Sequence, residues 1–156
     1  EKKETAAEIT EGSTDILSAA MAVMETVGAG ADCTGIAEVF DGKRRFEQKF
    51  VHEEYEQLEP SKYNIFGGNA AVCTVEVKPV NGEWSEKPRG WLSIQEQGRE
   101  RGTMPTLWMG SVQDGDPAIP VKIRVKTAYG TLFMHLAEYR KGSDIQVAEK
   151  RVLEED

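Results

Sequence analysis

Four side chains in this sequence carry thiol or imidazole chemistry: Cys33, Cys73, His52 and His135. Two cysteines alone do not make a zinc site, which takes three or four ligands. They stand forty positions apart and are not C-x-x-C, so a dithiol redox motif is absent. Each histidine falls in a strand-like run, with no second ligand at metal-binding spacing. A Cys–His nucleophile pair would require a free thiol, and nothing in the sequence flags an activated one. No G-x-S-x-G elbow, phosphate loop or calcium loop occurs. Gly28-Ala29-Gly30 begins like a dinucleotide fingerprint, but it follows a helix, and Cys33 replaces the third glycine. Adjacent carboxylates such as Glu53 and Glu54 are expected on opposite faces of a strand, which keeps them from acting on one substrate. The chain therefore reads as non-catalytic, with no metal and no cofactor.

What remains is aromatic and methionine-rich apolar surface: Phe46, Phe50, Trp84, Trp91, Trp108, Met104, Met109 and Met134. Most of these are expected to be ordinary core. The functional alternative is a groove for an apolar ligand such as an acyl chain, because thioethers and rings adapt to soft partners. The candidates for lining it are Phe46, Phe50, Trp91, Trp108, Met109 and Met134.

These residues need elements to position them. One helix is expected over Asp15–Val27, capped by Ser13 or Thr14 and stopped by Gly28 and Gly30. Its apolar stripe is Ile16, Ala20, Val23 and Val27, broadened by Leu17, Met21 and Met24. After Cys33 the period shortens from 3.6 to 2. Strands are expected at Ile36–Phe40, Arg45–Tyr55, Ala70–Val77 and Thr106–Val112. Ile119–Ala128 and Leu132–Ala137 form the clearest hairpin, around Tyr129-Gly130. Asp41-Gly42 and Asn81-Gly82 carry turn chemistry. Residues 82–104 read as a loop with a short strand or helix near Trp91–Glu96, and Ile145–Asp156 as a frayed helix.

The expected fold is mainly β (α+β): one N-terminal helix packed on a curved antiparallel sheet of six to eight strands, half-barrel-like. The sheet is expected to have one apolar and one charged face. Residues 1–12 read as a flexible lead-in, 13–140 as a single β-rich domain and 141–156 as a charged tail.

The chain has 156 residues, enough for one domain with its own core. Hydrophobic residues make up 39% and charged residues 29%, and no apolar run is long enough to span a membrane as a helix. A net charge of −8 makes nucleic acid a poor partner. The basic run Lys43-Arg44-Arg45 reads as a solvated strand start. The sequence opens on Glu1 without a signal segment, as expected of a processed chain or a fragment.

Three stretches, in order, resemble a known family. They are DILSAAMAVM with its glycines and Cys33, then VFDGKRRFEQKF and AAVCTVEVKPV, then TLWMGSVQDGDPAIPVKIRVKTAYGTLFMHL. Across about residues 13–140 the chain is similar to the C-terminal portion of a widespread proteobacterial family of exported proteins, known only as a domain of unknown function. The matching positions are Cys33, Phe40, Asp41, Gly42, Arg44, Arg45, Cys73, Trp108, Pro120, Val121, Lys122, Ile123 and Gly130. The resemblance implies export to the periplasm or secretion, a role in the cell envelope, and a half-open barrel or spiral like that of lipoprotein carriers. It also implies a Cys33–Cys73 disulfide, which the residues by themselves leave open against two free thiols. Several N-terminal strands of the family pattern are missing, which argues against barrel closure.

Three functions follow as expectations. The first is an envelope binding or structural module holding an apolar, lipid-like ligand on a concave sheet. The second is a protein–protein module of the envelope with no small ligand. The third is an envelope hydrolase, for which no nucleophile–base arrangement is readable.

Overall fold

The computed structural model describes residues 16–40, 42, 44–82, 90–141 and 144–148. The expected lead-in, the Ser13 or Thr14 cap, Asp41 and Trp84 lie outside them.

The first helix, α1, is Ile16–Gly28. It ends as glycine-terminated helices do. Gly30 takes φ 101°, its N–H bonds to the Val27 carbonyl at 3.0 Å, and the Ala31 N–H bonds to the Thr26 carbonyl at 3.1 Å. These two bonds satisfy carbonyls that the helix end would otherwise leave unpaired. The core-facing stripe runs through buried Ala19 and half-buried Val23, Met24 and Val27. Val23, Met24 and Val27 belong to the expected stripe, Ala20 is half-buried like them, and Met21 is 44% exposed. The helix is anchored near its C-terminal end, where Ala118 N–H bonds to the Met24 carbonyl at 2.8 Å.

Six strands follow: β1 (Gly35–Phe40), β2 (Arg44–Leu58), β3 (Gly68–Gly82), β4 (Thr106–Gly110), β5 (Ile119–Thr127) and β6 (Gly130–His135). They form one sheet in sequence order, each neighbour antiparallel. The sheet is not closed, since β1 and β6 are its two edges. This is the mainly β, half-barrel-like class expected. Asn81 and Gly82, expected in a turn, instead close β3 opposite Arg45 and Arg44.

Besides a slip at Arg45/Phe46, two bulges reshape the expected alternation in the middle of the sheet. The register slips between His52 and Glu54. A bulge turns the strand locally, because the extra residue breaks the period of two. Glu54 stands opposite Val72, and Glu53 accepts a hydrogen bond from Thr74 Oγ1 at 3.3 Å. Both carboxylates therefore face the side of Val72 and Thr74, not opposite sides. A second slip between Trp108 and Met109 sets Lys122 opposite Trp108 and Pro120 opposite Met109. Val121 thereby packs with Trp108, away from Ile123, which stands opposite Leu107.

The expectation of one apolar and one charged face is corrected by these placements. On the α1 side lie Phe46 and Val39, then Cys33, Ala71, Cys73 and Met109. On the far side Phe66, Ala70, Val72, Trp108 and Val121 form a second buried cluster. The 59–67 segment covers it. Ile65 N–H bonds to the Leu136 carbonyl at 2.9 Å, and Asn64 Nδ2 donates to the Val121 carbonyl at 2.7 Å.

A second helix, α2, spans Trp91–Glu100, longer than expected for that region. It substitutes for a missing strand. β4 pairs with β3 only from Ala71 to Thr74. Farther along β3, buried Gln95 accepts from Val77 N–H at 2.9 Å and donates to the Val77 carbonyl at 2.7 Å. Strands β7 (Glu138–Lys141) and β8 (Asp144–Val147) form a separate hairpin. Its second strand occupies the start of the expected frayed helix, and the pair crosses the boundary expected at residue 140.

Candidate functional site

Cys33 and Cys73 form a disulfide with their Cα atoms 6.3 Å apart. Both residues are buried, at 2% and 0% exposure. Cys33 lies in the irregular stretch between α1 and β1, and Cys73 lies mid-strand in β3. The bond fastens the end of α1 to the centre of the sheet.

His52 is the unexpected third member. The β2–β3 register places it directly opposite Cys73, with its Nδ1 3.5 Å from Cys33 Sγ. Its N–H bonds to Thr34 Oγ1 at 3.2 Å, and the Tyr55 ring is centred 4.5 Å away. The donor atoms of Cys33, His52 and Cys73 all lie within 4.8 Å of one another. The sequence shows no second ligand at metal-binding spacing to either histidine; for His52 the fold brings two sulfurs close. Linear spacing hides the cluster, because cross-strand register assembles it. Both sulfurs are engaged in the disulfide.

The six residues considered for an apolar ligand do not gather on one surface. Phe46 is buried beside Ala19 and Val39. Met109 is buried beside the disulfide, and Trp108 lies on the opposite side of the sheet. Trp91 opens α2, with its Nε1 buried and unpaired among the described residues. Met134 is 52% exposed on edge strand β6. Two of the six line separate concavities: Phe50 a groove of about 320 Å³ between α1 and β1, and Met109 a larger cleft past the end of α1.

Small side chains open that groove. Ala19, Ala22, Gly35 and Ala37 leave space between helix and strand, with Val23, Ile36 and Phe50 around it. Two of its hydroxyls bond within the chain. Thr26 Oγ1 donates to the Val23 carbonyl at 3.1 Å, and Thr34 Oγ1 accepts from His52 N–H. A larger cleft of about 500 Å³ lies past the C-terminal end of α1, lined by Tyr55, Asn69, Ser111 and Asp114 among glycines. Asn69 and Asp114 are exposed to solvent there.

The far face carries a cation–aromatic array. Trp108 Nε1 donates to Glu56 Oε2 at 2.7 Å. Lys122 Nζ lies 4.5 Å from the Trp108 ring centre and 5.4 Å from that of Phe133. The Arg124 guanidinium is 5.3 Å from Trp108. Such contacts hold cations over the negative ring faces. Burial, and then the Lys122 ammonium, keep His135 below the ordinary imidazole value.

Searches against protein-family models, curated proteins and solved structures found no match. Among the described residues no helix is long and apolar enough to cross a membrane.

Proposed function

We propose that this protein is a non-catalytic module of the bacterial cell envelope, periplasmic or secreted, that holds a single apolar chain in the groove between α1 and β1. The groove itself carries this reading. It is lined by alanines, Val23, Ile36 and Phe50, and the Thr26 and Thr34 hydroxyls are already engaged. Its volume of about 320 Å³ is at the small end for ligand pockets, which suits one acyl chain better than a multi-chain lipid. Ile36, 63% exposed at the rim, would be covered by such a ligand. The disulfide accords with an oxidising compartment, and the resemblance of the sequence motifs to an exported envelope family supports the same reading.

The test is displacement of an environment-sensitive fluorescent probe by fatty acids of graded length. Ala22 is exposed on the groove wall, so Ala22→Trp fills the space without disturbing the core. The variant is expected to weaken binding at least about tenfold, or ~1.4 kcal/mol, with an unchanged melting temperature. Equal binding by both proteins, or none by the parent, overturns the proposal.

A second reading, strand addition by a protein partner, rests on edge strand β6. Leu132, Phe133 and Met134 are 53%, 47% and 52% exposed there, and the strand carries no Lys, Arg, Asp, Glu or Pro to discourage pairing. Replacing Leu132 and Met134 with lysine is expected to abolish that association and leave probe binding intact.

A further inference from the structure

We infer that Cys33, Cys73 and His52 form a zinc-class metal site whenever the two cysteines are not joined, so that the same three residues have a disulfide state and a metal state. Tetrahedral zinc has bonds of about 2.3 Å to thiolate and about 2.0–2.1 Å to imidazole. Those lengths set the Sγ–Nδ1 separation at about 3.5 Å and the Sγ–Sγ separation at about 3.8 Å. His52 Nδ1 lies 3.5 Å from Cys33 Sγ, and all three donor atoms lie within 4.8 Å of one another, so the sulfurs must part and the three donors close up around the ion by small shifts. Cys73 is held in β3 opposite His52. Cys33 sits in the non-regular stretch 31–34 and can supply the movement. His52 is held by its strand pairing and by the bond from its backbone N–H to the Thr34 hydroxyl, and its ring packs against the Tyr55 ring. Two thiolates and an imidazole are soft and borderline donors that select zinc over calcium or magnesium. The fourth position is left to water.

Reaching the metal state balances simply. A phosphine reductant gives two electrons to the Sγ–Sγ bond and leaves as its oxide. Water supplies the oxygen and the two protons that make two thiols. Binding one divalent ion then releases both thiol protons, while neutral His52 donates the lone pair of Nδ1. Oxidation of the thiols to the disulfide excludes the metal, because bonded sulfurs no longer supply thiolates.

The experiment titrates the full chain, reduced with a phosphine in the absence of air, with cobalt(II) alone and then with zinc. The expected result is a thiolate-to-cobalt charge-transfer band that saturates at one equivalent and is removed by zinc. The oxidised protein shows no band. Losing an outer-shell partner alone weakens metal sites by about 10–100-fold, so His52→Ala and the bulkier His52→Gln are expected to weaken binding at least about tenfold. Circular dichroism is recorded alongside; if reduction unfolds the chain, one equivalent of zinc restores the fold. No band with the reduced chain, no refolding by zinc, equal binding by both His52 variants, or a band with the oxidised chain each overturns the inference. Fatty-acid binding is measured on the oxidised protein, so the groove and the metal site stand or fall separately.

Discussion

Asn64 Nδ2 donates to His135 Nδ1 at 3.1 Å, joining the 59–67 segment to edge strand β6 across seventy-one residues of sequence. The Asn64 amide is oriented by two further bonds, to the Val121 carbonyl at 2.7 Å and from Phe66 N–H at 2.9 Å. His135 Nδ1 must therefore accept, and that nitrogen cannot also carry a proton. Desolvation and the Lys122 ammonium act in the same direction and lower its pKa from 6.5. The unfolded chain then binds more protons between the lowered folded value and 6.5. His135 contributes stability that is full above 6.5 and is lost as the pH falls through the folded value. The urea midpoint is expected to drop between about pH 7.5 and about pH 5. In His135→Gln this part of the slope disappears; an unchanged slope in the variant refutes the assignment.

Gln95 is expected to matter more than a polar helix residue usually does. It satisfies both backbone groups of Val77 where β4 does not reach. Gln95→Ala leaves the N–H and C=O of half-buried Val77 without these partners, at a cost of about 1 kcal/mol. Gln95→Glu keeps the acceptor but loses the donor, and so is expected to be destabilised as well. Denaturant titration measures the loss. Faster hydrogen exchange at Val77 N–H in Gln95→Ala locates it, and protection equal to the parent's rules out the strand-substitute role.

Gly110 and Phe66 are expected to be coupled. A Cβ on Gly110 would lie 2.5 Å from Phe66 Cζ and 2.8 Å from Cε1, so the ring fills the space a side chain would need. Gly110→Ala is expected to cost about 1–3 kcal/mol through overpacking. Phe66→Leu removes the ring end. In that background the same glycine substitution is expected to cost less, and a double-mutant cycle gives the difference. Additive losses refute the contact.

What the sequence made legible was what period and turn chemistry encode. Alternation revealed the hairpin Ile119–His135 and the long strands around Phe50 and Cys73 because apolar and polar residue types alternate there along the sequence. The bulges were not readable. No residue type marks the slips at His52–Glu54 or opposite Trp108, yet they put Glu53 beside Thr74 and Val121 beside Trp108. Phe66 belongs to no periodic run, so the second core cluster it completes had no local signal. The Cys33–His52–Cys73 cluster was hidden for a related reason: register brings the three together, and register is a property of the paired strands rather than of either segment.

Removing the disulfide is expected to destabilise the protein without unfolding it. Joining residues 33 and 73 closes a loop of forty residues, worth about 4 kcal/mol in unfolded-chain entropy. The double variant Cys33→Ala/Cys73→Ala loses that restraint along with little side-chain volume. α1 keeps its other attachments, since Val23, Met24 and Val27 still pack on Met109 and Ala118, and Ala118 N–H still bonds to the Met24 carbonyl. Urea denaturation is expected to show a midpoint lowered by an amount matching about 4 kcal/mol, with native circular dichroism in the absence of denaturant. Hydrogen exchange is expected to quicken first in α1 and in residues 31–34, while β2 and β3 at His52 and Cys73 stay protected by their own pairing. Loss concentrated in the sheet instead would mean that the bond supports β3 rather than fastening the helix to it.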